Sequence, residues 1–328
     1  MEFRKLGASD IEVSAITFGA WAAGGWMWGS TDRKEAVEAI QAAHQEGVTT
    51  IDTAPIYGQG VSEEIVGEAI KGLARDQVQI LTKFGMRWDL AQPQGTFVMH
   101  SKNNQGQDLS IYKYASKASV IKEVEESLKR LGTDYIDLLQ LHWPDVTTPI
   151  AETMEAMELL IQQGKIRAAG VSNYTVEQVK EARNTLGIVS NQVPYSMLNR
   201  GIEQELVPYA LANDLSIIAY SPMERGLLTG KYFKANTFAE GDHRSSYFSQ
   251  FNLPQVENFL EEIRPLAEEK RATFAQLVLR WTTLQPAITV TLAGARNAKQ
   301  ALANAQAMQV ALNPDELDFI HRALAKIS

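Results

Sequence analysis

Eight short apolar runs, each followed by a segment of helical spacing, constrain this chain more than any other feature of it. The runs lie at residues 15–20, 49–53, 79–83, 136–142, 168–172, 189–193, 216–221 and 288–292. Helical periodicity follows near 32–46, 62–74, 117–131, 150–163, 175–185, 202–213, 273–284 and 297–308. A strand that recurs after every helix implies parallel pairing, because a parallel neighbour is reached only through a crossover long enough to hold a helix. Runs that are apolar almost throughout, such as Ile136-Asp-Leu-Leu-Gln-Leu141, suit a sheet covered on both faces. An open doubly wound sheet and a closed barrel both meet these conditions. No G-x-G-x-x-G follows an early run, so the expected α/β architecture is a (β/α)8 TIM barrel. Such barrels commonly need a length like these 328 residues, so residues 1–328 are expected to form one domain.

Local chemistry marks the element ends. Asp32 with Glu35 and Thr175 with Gln178 read as capping boxes, and Ser62 precedes two acids, Glu63 and Glu64, suited to a helix start. Residues 2–5 and 11–14 read as a hairpin that caps the N-terminal end of the barrel. Asn313-Pro314 opens an extra C-terminal helix beyond the repeat. Two segments break the repeat: 86–117, with six Asn or Gln residues and little helical periodicity, and 231–251, which mixes charges, aromatics and serines. Both follow strands, so both belong on the C-terminal face, where loops serve as lids or binding walls.

Composition excludes several classes of function. The chain has no cysteine, which removes disulfides, thiol catalysis and thiolate-bound metals and fits a reducing cytoplasm. A net charge of −8 argues against an extended nucleic-acid surface, and an anionic ligand would need a local basic pocket. Residues 13–31 carry no charge, yet their four glycines read as a strand and loop rather than a membrane span. The first residues hold no apolar stretch of a secretory leader. No H-E-x-x-H or Cys/His cluster calls for a metal, and nothing points to an obligate protein partner.

Polar residues collect where the strands end: Asp52, Tyr57 just beyond, Lys83, His142, Ser172-Asn173, Gln192 and Tyr220-Ser221. Singly, each has an ordinary explanation: a lysine as a solvated strand end, a tyrosine as loop packing, a histidine as a satisfied structural residue. A barrel gathers all of them around one mouth. Together they suit proton delivery to a carbonyl oxygen. Lys83 would lower the Tyr57 pKa from about 10, Asp52 would hold the lysine, and His142 could donate to a substrate oxygen. None of these groups supplies a hydride, so a cofactor must.

At this point the sequence resembles the aldo-keto reductase superfamily, most closely its long-loop bacterial members, over almost its whole length. The resemblance is carried by Phe18-Gly19 and by Thr50-Ile-Asp-Thr-Ala-Pro-Ile-Tyr-Gly58. It continues through Leu81-Thr-Lys-Phe84, Leu139-Gln-Leu-His-Trp-Pro144, Gly164-Lys-Ile-Arg167 and Gly170-Val-Ser-Asn173. Gln192-Val-Pro-Tyr195, Ala219-Tyr-Ser-Pro222, Gly226-Leu-Leu-Thr-Gly230 and Gly294-Ala-Arg296 complete the ordered set. The resemblance implies Tyr57 as the general acid of carbonyl reduction, Lys83 as its tuner, Asp52 as the partner of Lys83, and His142 as the group that orients the carbonyl. It implies NADPH/NADP+ as cofactor and a small aldehyde or ketone as substrate. Ser172, Asn173 and Gln192 would bond the nicotinamide amide, and Tyr220 would stack on its ring. Ser221, Gly226, Leu228 and Lys231 would meet the pyrophosphate. Gly294, Arg296, Gln300 and Asn304 would hold the adenosine 2′-phosphate end, where paired guanidinium donors and a helix N-terminus suit a dianion. Many relatives place a glutamate where this chain has Ala303, a difference that would loosen the adenosine end. Trp21, Trp26, Trp28, Trp88 and Trp143 suggest an apolar substrate wall, softened by Met27 and Met86.

Two other classes are compatible with the same residues. The fold also serves potassium-channel β subunits, so an NADPH-binding regulatory subunit with negligible turnover is one. A barrel lyase or isomerase using Lys83 as a Schiff base is the other, distinguished by borohydride trapping.

Overall fold

The structure, a computed structural model, describes residues 1–29, 31–233 and 244–327. It opens with an antiparallel hairpin of β1 (Phe3–Lys5) and β2 (Glu12–Ser14), followed by β3 (Ile16–Gly19), β4 (Thr50–Asp52) and β5 (Gln79–Phe84). A separate small sheet comprises β6 (Met86–Arg87), β7 (Thr96–Lys102) and β8 (Asp108–Lys113). The series ends with β9 (Ile136–Leu141), β10 (Ile166–Ser172), β11 (Ser190–Pro194), β12 (Ser216–Tyr220) and β13 (Ile288–Gly294). Strands β3, β4, β5 and β9 to β13 pair in parallel and in chain order, and β13 returns to β3 to close the barrel. The eight apolar runs of the sequence are these eight strands. Parallel register, with Asp52 beside Leu81, Lys83 beside Gln140 and Ser172 beside Gln192, brings their C-terminal ends to one rim.

The opposite end is sealed. Leu6, Ile11 and Val13 of the hairpin pack against Leu81, Leu138, Ala168, Ile218 and Val290 inside the barrel, so the hairpin plugs the N-terminal end as expected. Burying the interior side chains from below leaves only the C-terminal rim open to a ligand. Within the uncharged stretch, residues 13–29 become strand, loop and a tight helical turn, Ala22–Gly24. Among the described residues no helix is long and apolar enough to cross a membrane.

Most helix boundaries follow their chemical marks. The Asp32 carboxylate accepts from the Glu35 N–H, Thr175 and Gln178 form a full capping box, and Asn313 with Glu316 forms another before the helix Pro314–Leu324. The helix Val61–Ala69 departs from expectation: Gly60, at φ 97°, caps it. Ser62 instead lies within it, its hydroxyl donating to Ala20 O at 2.9 Å. Glu63 is wholly buried and accepts from Thr82 Oγ1 at 2.6 Å and Arg130 Nε at 2.7 Å. The helix expected at 202–213 contracts to Leu206–Ala212.

A 17-residue helix, Leu253–Glu269, was not anticipated. Pro254 and Pro265 argue against helix in sequence, yet Pro254 lies in the first turn, where its missing N–H has no intrahelical partner to lose. Val256, Phe259, Leu260, Ile263, Leu266 and Ala267 form its buried stripe. The segment 86–117 likewise holds more order than its composition suggests. β7 and β8 pair across a turn in which Asn103 Oδ1 accepts from the Gln105 and Gln107 N–H groups, and Gly106 takes φ 79°. Of 231–251, residues 234–243 lie outside the described residues; Arg244–Phe248 forms a short helix.

Candidate active site

Asp52 ends β4 and Lys83 lies near the end of β5, the neighbouring strand, so both side chains meet inside the rim. Lys83 Nζ donates to Asp52 Oδ1 at 2.6 Å and to the Thr53 carbonyl at 2.9 Å. The other carboxylate oxygen accepts from Gln192 Nε2 at 2.8 Å and from Gln140 Nε2 at 3.4 Å. A buried ion pair is costly unless its remaining lone pairs and protons are satisfied, and here the two glutamine amides and a carbonyl do so.

Tyr57 and His142 stand over this pair, each partly exposed, and both line the cavity. Their rings meet edge to face at 5.7 Å, and Lys83 Nζ lies 5.1 Å from the Tyr57 ring centre. Burial pushes the Tyr57 phenol well above its usual value, and the Asp52 carboxylate adds to the shift. The lowering of that pKa by Lys83, expected from the sequence, is therefore reversed. Desolvation dominates, and the Asp52 carboxylate that pairs with the lysine pushes the same way. Burial lowers His142 well below its usual value, and the Lys83 ammonium pushes the same way. Burial also lowers Lys83, opposed by Asp52. The resulting set is a protonated phenol beside a neutral imidazole.

The cavity at the rim has a volume of about 1220 Å3. Its lining joins Tyr57 and His142 to Ser172, Asn173, Gln192, Tyr220, Ser221, Gly226, Lys231, Gly294, Arg296, Gln300 and Asn304. All the expected cofactor residues but one thus share a single chamber. Leu228 is the exception: its side chain is wholly buried in the core, and its N–H bonds the Met223 carbonyl at 3.2 Å. Seven cationic side chains line the chamber against Asp52 and Glu268, so a chain of net charge −8 does hold a local basic pocket. That charge pattern and size fit an anionic dinucleotide.

Trp21, Trp26, Trp28 and Trp143 also line the chamber. Trp21 stacks on Tyr57 at 6.0 Å. Trp88 does not join them; it packs with Trp26, Ile56 and Ile111 beneath the wall. Trp28 contacts the other end of the site: Arg296 donates a hydrogen bond to its carbonyl, with the guanidinium 5.7 Å from its ring centre.

A family model described as "Aldo/keto reductase family" matches residues 15–325. The chain belongs to that family. Aldo-keto reductase YhdN of Bacillus subtilis is 40% identical, over 99% of this chain and 94% of its own length. The NADH-specific methylglyoxal reductase of Escherichia coli is 37% identical over 94% of each chain. A probable voltage-gated potassium channel subunit beta of Oryza sativa is 30% identical over 98% of this chain and 95% of its own. Among solved structures, the glycerol dehydrogenase AKR11B4 of Gluconobacter oxydans superposes with a TM-score of 0.87 at 35% identity, covering 99% of this chain and 95% of that one. This aldo/keto reductase is accordingly an oxidoreductase of a family that uses a nicotinamide cofactor.

In the reductase, Asn173 adopts φ 62°, which lets its amide donate to Ser172 Oγ at 3.1 Å and accept from Tyr220 OH at 2.9 Å. Ser172 Oγ in turn donates to the Gln192 carbonyl at 2.7 Å. At the far end, Asn297 caps the helix Ala298–Ala305, Gln300 Oε1 accepts from the Arg296 N–H at 2.9 Å, and Asn304 Nδ2 donates to the Gly294 carbonyl at 3.0 Å. Sequence reasoning missed Gln140 and Arg225. The signal for Gln140 was weak, a polar residue within an apolar strand. Arg225 lies between Ser221 and Gly226, inside the stretch assigned to the cofactor, and lines the same chamber.

Proposed function

We propose that this reductase is NADPH-dependent and converts small aldehydes or ketones to alcohols, with Tyr57 delivering the proton. One observation carries the proposal: Tyr57, His142 and Asp52, the last paired with buried Lys83, line the same basic chamber as Arg296 and Asn297, the cap of Ala298–Ala305. When bound, the nicotinamide supplies the hydride. Ser172, Asn173, Gln192 and Tyr220 are the residues suited to hold its amide and ring. Ser221, Gly226 and Lys231 suit the pyrophosphate, with Gly294, Arg296, Gln300 and Asn304 at the adenosine end. Neutral His142 orients the carbonyl oxygen by donating a hydrogen bond. The phenol of Tyr57, kept protonated by burial, transfers its proton to that oxygen as negative charge develops there. The Lys83 ammonium then stabilises the phenolate left behind, assisted by Asp52 on its far side. Trp21, Trp26 and Trp143 give the substrate an apolar wall. A cytoplasmic location accords with the absence of cysteine.

The preference for NADPH needs a direct test because the Escherichia coli relative is, by name, NADH-specific. Oxidation of NADPH and of NADH is followed against a panel of aldehydes, for the wild type, Tyr57→Phe and Arg296→Ala. Tyr57→Phe should lower kcat by roughly 100-fold or more. Arg296→Ala should weaken NADPH more than NADH. Wild-type turnover by a folded Tyr57→Phe enzyme, with chemistry rate-limiting, refutes the proton role. An unchanged NADPH/NADH ratio in Arg296→Ala refutes the phosphate assignment. A cofactor-binding wild type without turnover on the panel would instead favour the regulatory reading suggested by the channel-subunit relatives.

A further inference from the structure

Lys113 lines the chamber, yet neither the reaction chemistry nor the cofactor gives it a task. It closes β8 and is the cation that the small sheet contributes to the chamber among the described residues. Two sets of contacts fix its place. Across the antiparallel pair of β6 and β8 it stands opposite Met86, and residues directly opposite share a face of the sheet. Ile111, two residues back, lies on that face too. Met86 and Tyr57 both pack on the apolar cluster of Ile111, Trp26 and Ile56, so Lys113 projects from the face that borders the catalytic phenol. The exit of β5 then ties Lys113 to His142. Its consecutive carbonyls, Phe84 and Gly85, accept from the His142 and Tyr114 N–H groups, each at 3.0 Å. The Lys113 ammonium lies 4.8 Å from the centre of the Trp143 ring, beside His142 in the chain.

That ammonium makes no hydrogen bond or ion pair with any described residue. The carboxylates of this region are engaged elsewhere. Asp145 accepts from the Ala115 N–H at 2.9 Å, the Thr147 hydroxyl at 2.6 Å and the Thr148 hydroxyl at 2.7 Å. Asp52 is paired with Lys83, and Asp89 with Arg87. An aromatic face steadies a cation without neutralising it, so the charge is kept for a ligand. The cofactor's phosphates are not that ligand. Lys113 sits over β5 and β9, which lie diametrically across the closed barrel from β12 and β13, the strands that lead to Ser221, Lys231 and Arg296.

We propose that Lys113 is a specificity residue that selects aldehydes carrying a carboxylate, binding that group while Tyr57 and His142 take the carbonyl. The assignment rests on the carbonyl-reduction reading given above and names its substrate class. A single ammonium balances a single charge, which suits a carboxylate rather than a phosphate dianion. The apolar body of such a substrate would lie against Met86, Met99 and Trp143, which line the chamber between the two polar ends. The carboxylate takes no part in the reaction: hydride and proton go to the carbonyl, and the product is a hydroxy acid.

The test compares kcat/KM, at saturating cofactor, for 4-oxobutanoate and 4-carboxybenzaldehyde with that for their methyl esters. Each ester keeps the shape of its acid without the charge. The proteins are the wild type, Lys113→Met, which keeps an unbranched apolar stem, and Lys113→Arg, which keeps the charge. The acid-to-ester ratio should fall roughly 10-fold in Lys113→Met, through KM rather than kcat, and Lys113→Arg should retain most of it. In the wild type the ratio should shrink as salt rises. Thermal melts establish that each variant is folded. If Lys113→Met does not fold, the salt series decides, and a ratio independent of salt overturns the proposal. An unchanged ratio in folded Lys113→Met overturns it as well. So does an equal loss for acid and ester, which would assign Lys113 to the fold or the cofactor. A wild type that reduces none of these aldehydes, esters included, with NADPH or NADH refutes the carbonyl-reduction reading itself, an outcome distinct from the others.

Discussion

Substituting Gly24 by alanine should damage catalysis without touching a reacting group. Gly24 ends the turn Ala22–Gly24, and its backbone does not need glycine's left-handed freedom, so alanine carries no conformational penalty there. A Cβ at that position would stand 2.5 Å from the Tyr57 carbonyl oxygen and 2.6 Å from its carbonyl carbon. An ordinary contact needs 3.4 Å, so one of the two backbones must move by about 0.9 Å. The Gly24 side of the contact is held by Asn104 Nδ2, which donates to the Gly24 carbonyl at 2.8 Å, and by the Gly24 N–H bonds to Ala20 and Trp21. The Tyr57 side is held by its N–H bond to Ala54 O and by the Ser62 N–H on its carbonyl, both 3.1 Å, so the two sides share the displacement and Tyr57 moves with it. Misplacing a catalytic group by about 1 Å costs on the order of 100-fold in rate, equivalent to about 2.7 kcal/mol of transition-state stabilisation. The assay is kcat/KM at saturating cofactor, well below the melting temperature, with single-turnover rates to isolate chemistry. Cofactor affinity should change little. Gly187→Ala is the control: nothing lies within 4 Å of a Cβ there, and its backbone is not left-handed. A folded Gly24→Ala enzyme within threefold of wild-type kcat/KM refutes the claim that this contact sets the position of Tyr57.

Two further outcomes concern stability. Gln192→Leu removes the 2.8 Å donor to Asp52 Oδ2 and leaves that buried oxygen with only the 3.4 Å contact from Gln140. Denaturant unfolding should show a loss of about 1–3 kcal/mol, and an unchanged midpoint would show that the amide does not hold the carboxylate. Glu123, buried beside Arg87 and accepting from the Gly85 N–H at 3.0 Å, has its carboxyl pushed by burial up to about 7. Because the folded value is raised above the ordinary 4.5, its stabilising contribution is complete below that value and is lost as pH rises through about 7. The stability difference between wild type and Glu123→Gln should therefore fall between pH 5 and 8, by on the order of 3 kcal/mol at most. A difference flat with pH refutes it.

Much of the architecture was legible because it rests on local patterning. Apolar runs of strand length and helices begun by Asp32, Thr175 and Asn313 are properties of a few consecutive residues, and their alternation leaves few topologies. Elements were lost where local signals conflicted. Pro254 and Pro265 concealed the helix Leu253–Glu269, whose buried stripe outweighs them, and the polar turn at Asn103 masked the pairing of β7 with β8.

For the site, sequence alone determined which groups could take part: Asp52, Lys83 and His142 stand at strand ends with Tyr57 in the loop just beyond one, and strand ends meet in a barrel. Only the tertiary structure decided what state those groups are in and what surrounds them. Desolvation is a property of the assembled rim, so the direction of the Tyr57 shift could not be read from the presence of a lysine. Leu228 turns into the core, Trp88 lies beneath the wall and Trp28 meets Arg296 because packing across the barrel mouth, rather than position in the chain, sets which side chains face the ligand. Arg225 shows the same division. As a letter it is one cation among many; its surroundings, with the guanidinium 3.6 Å from the centre of a Tyr247 ring 22 residues further along the chain, are set only by the fold.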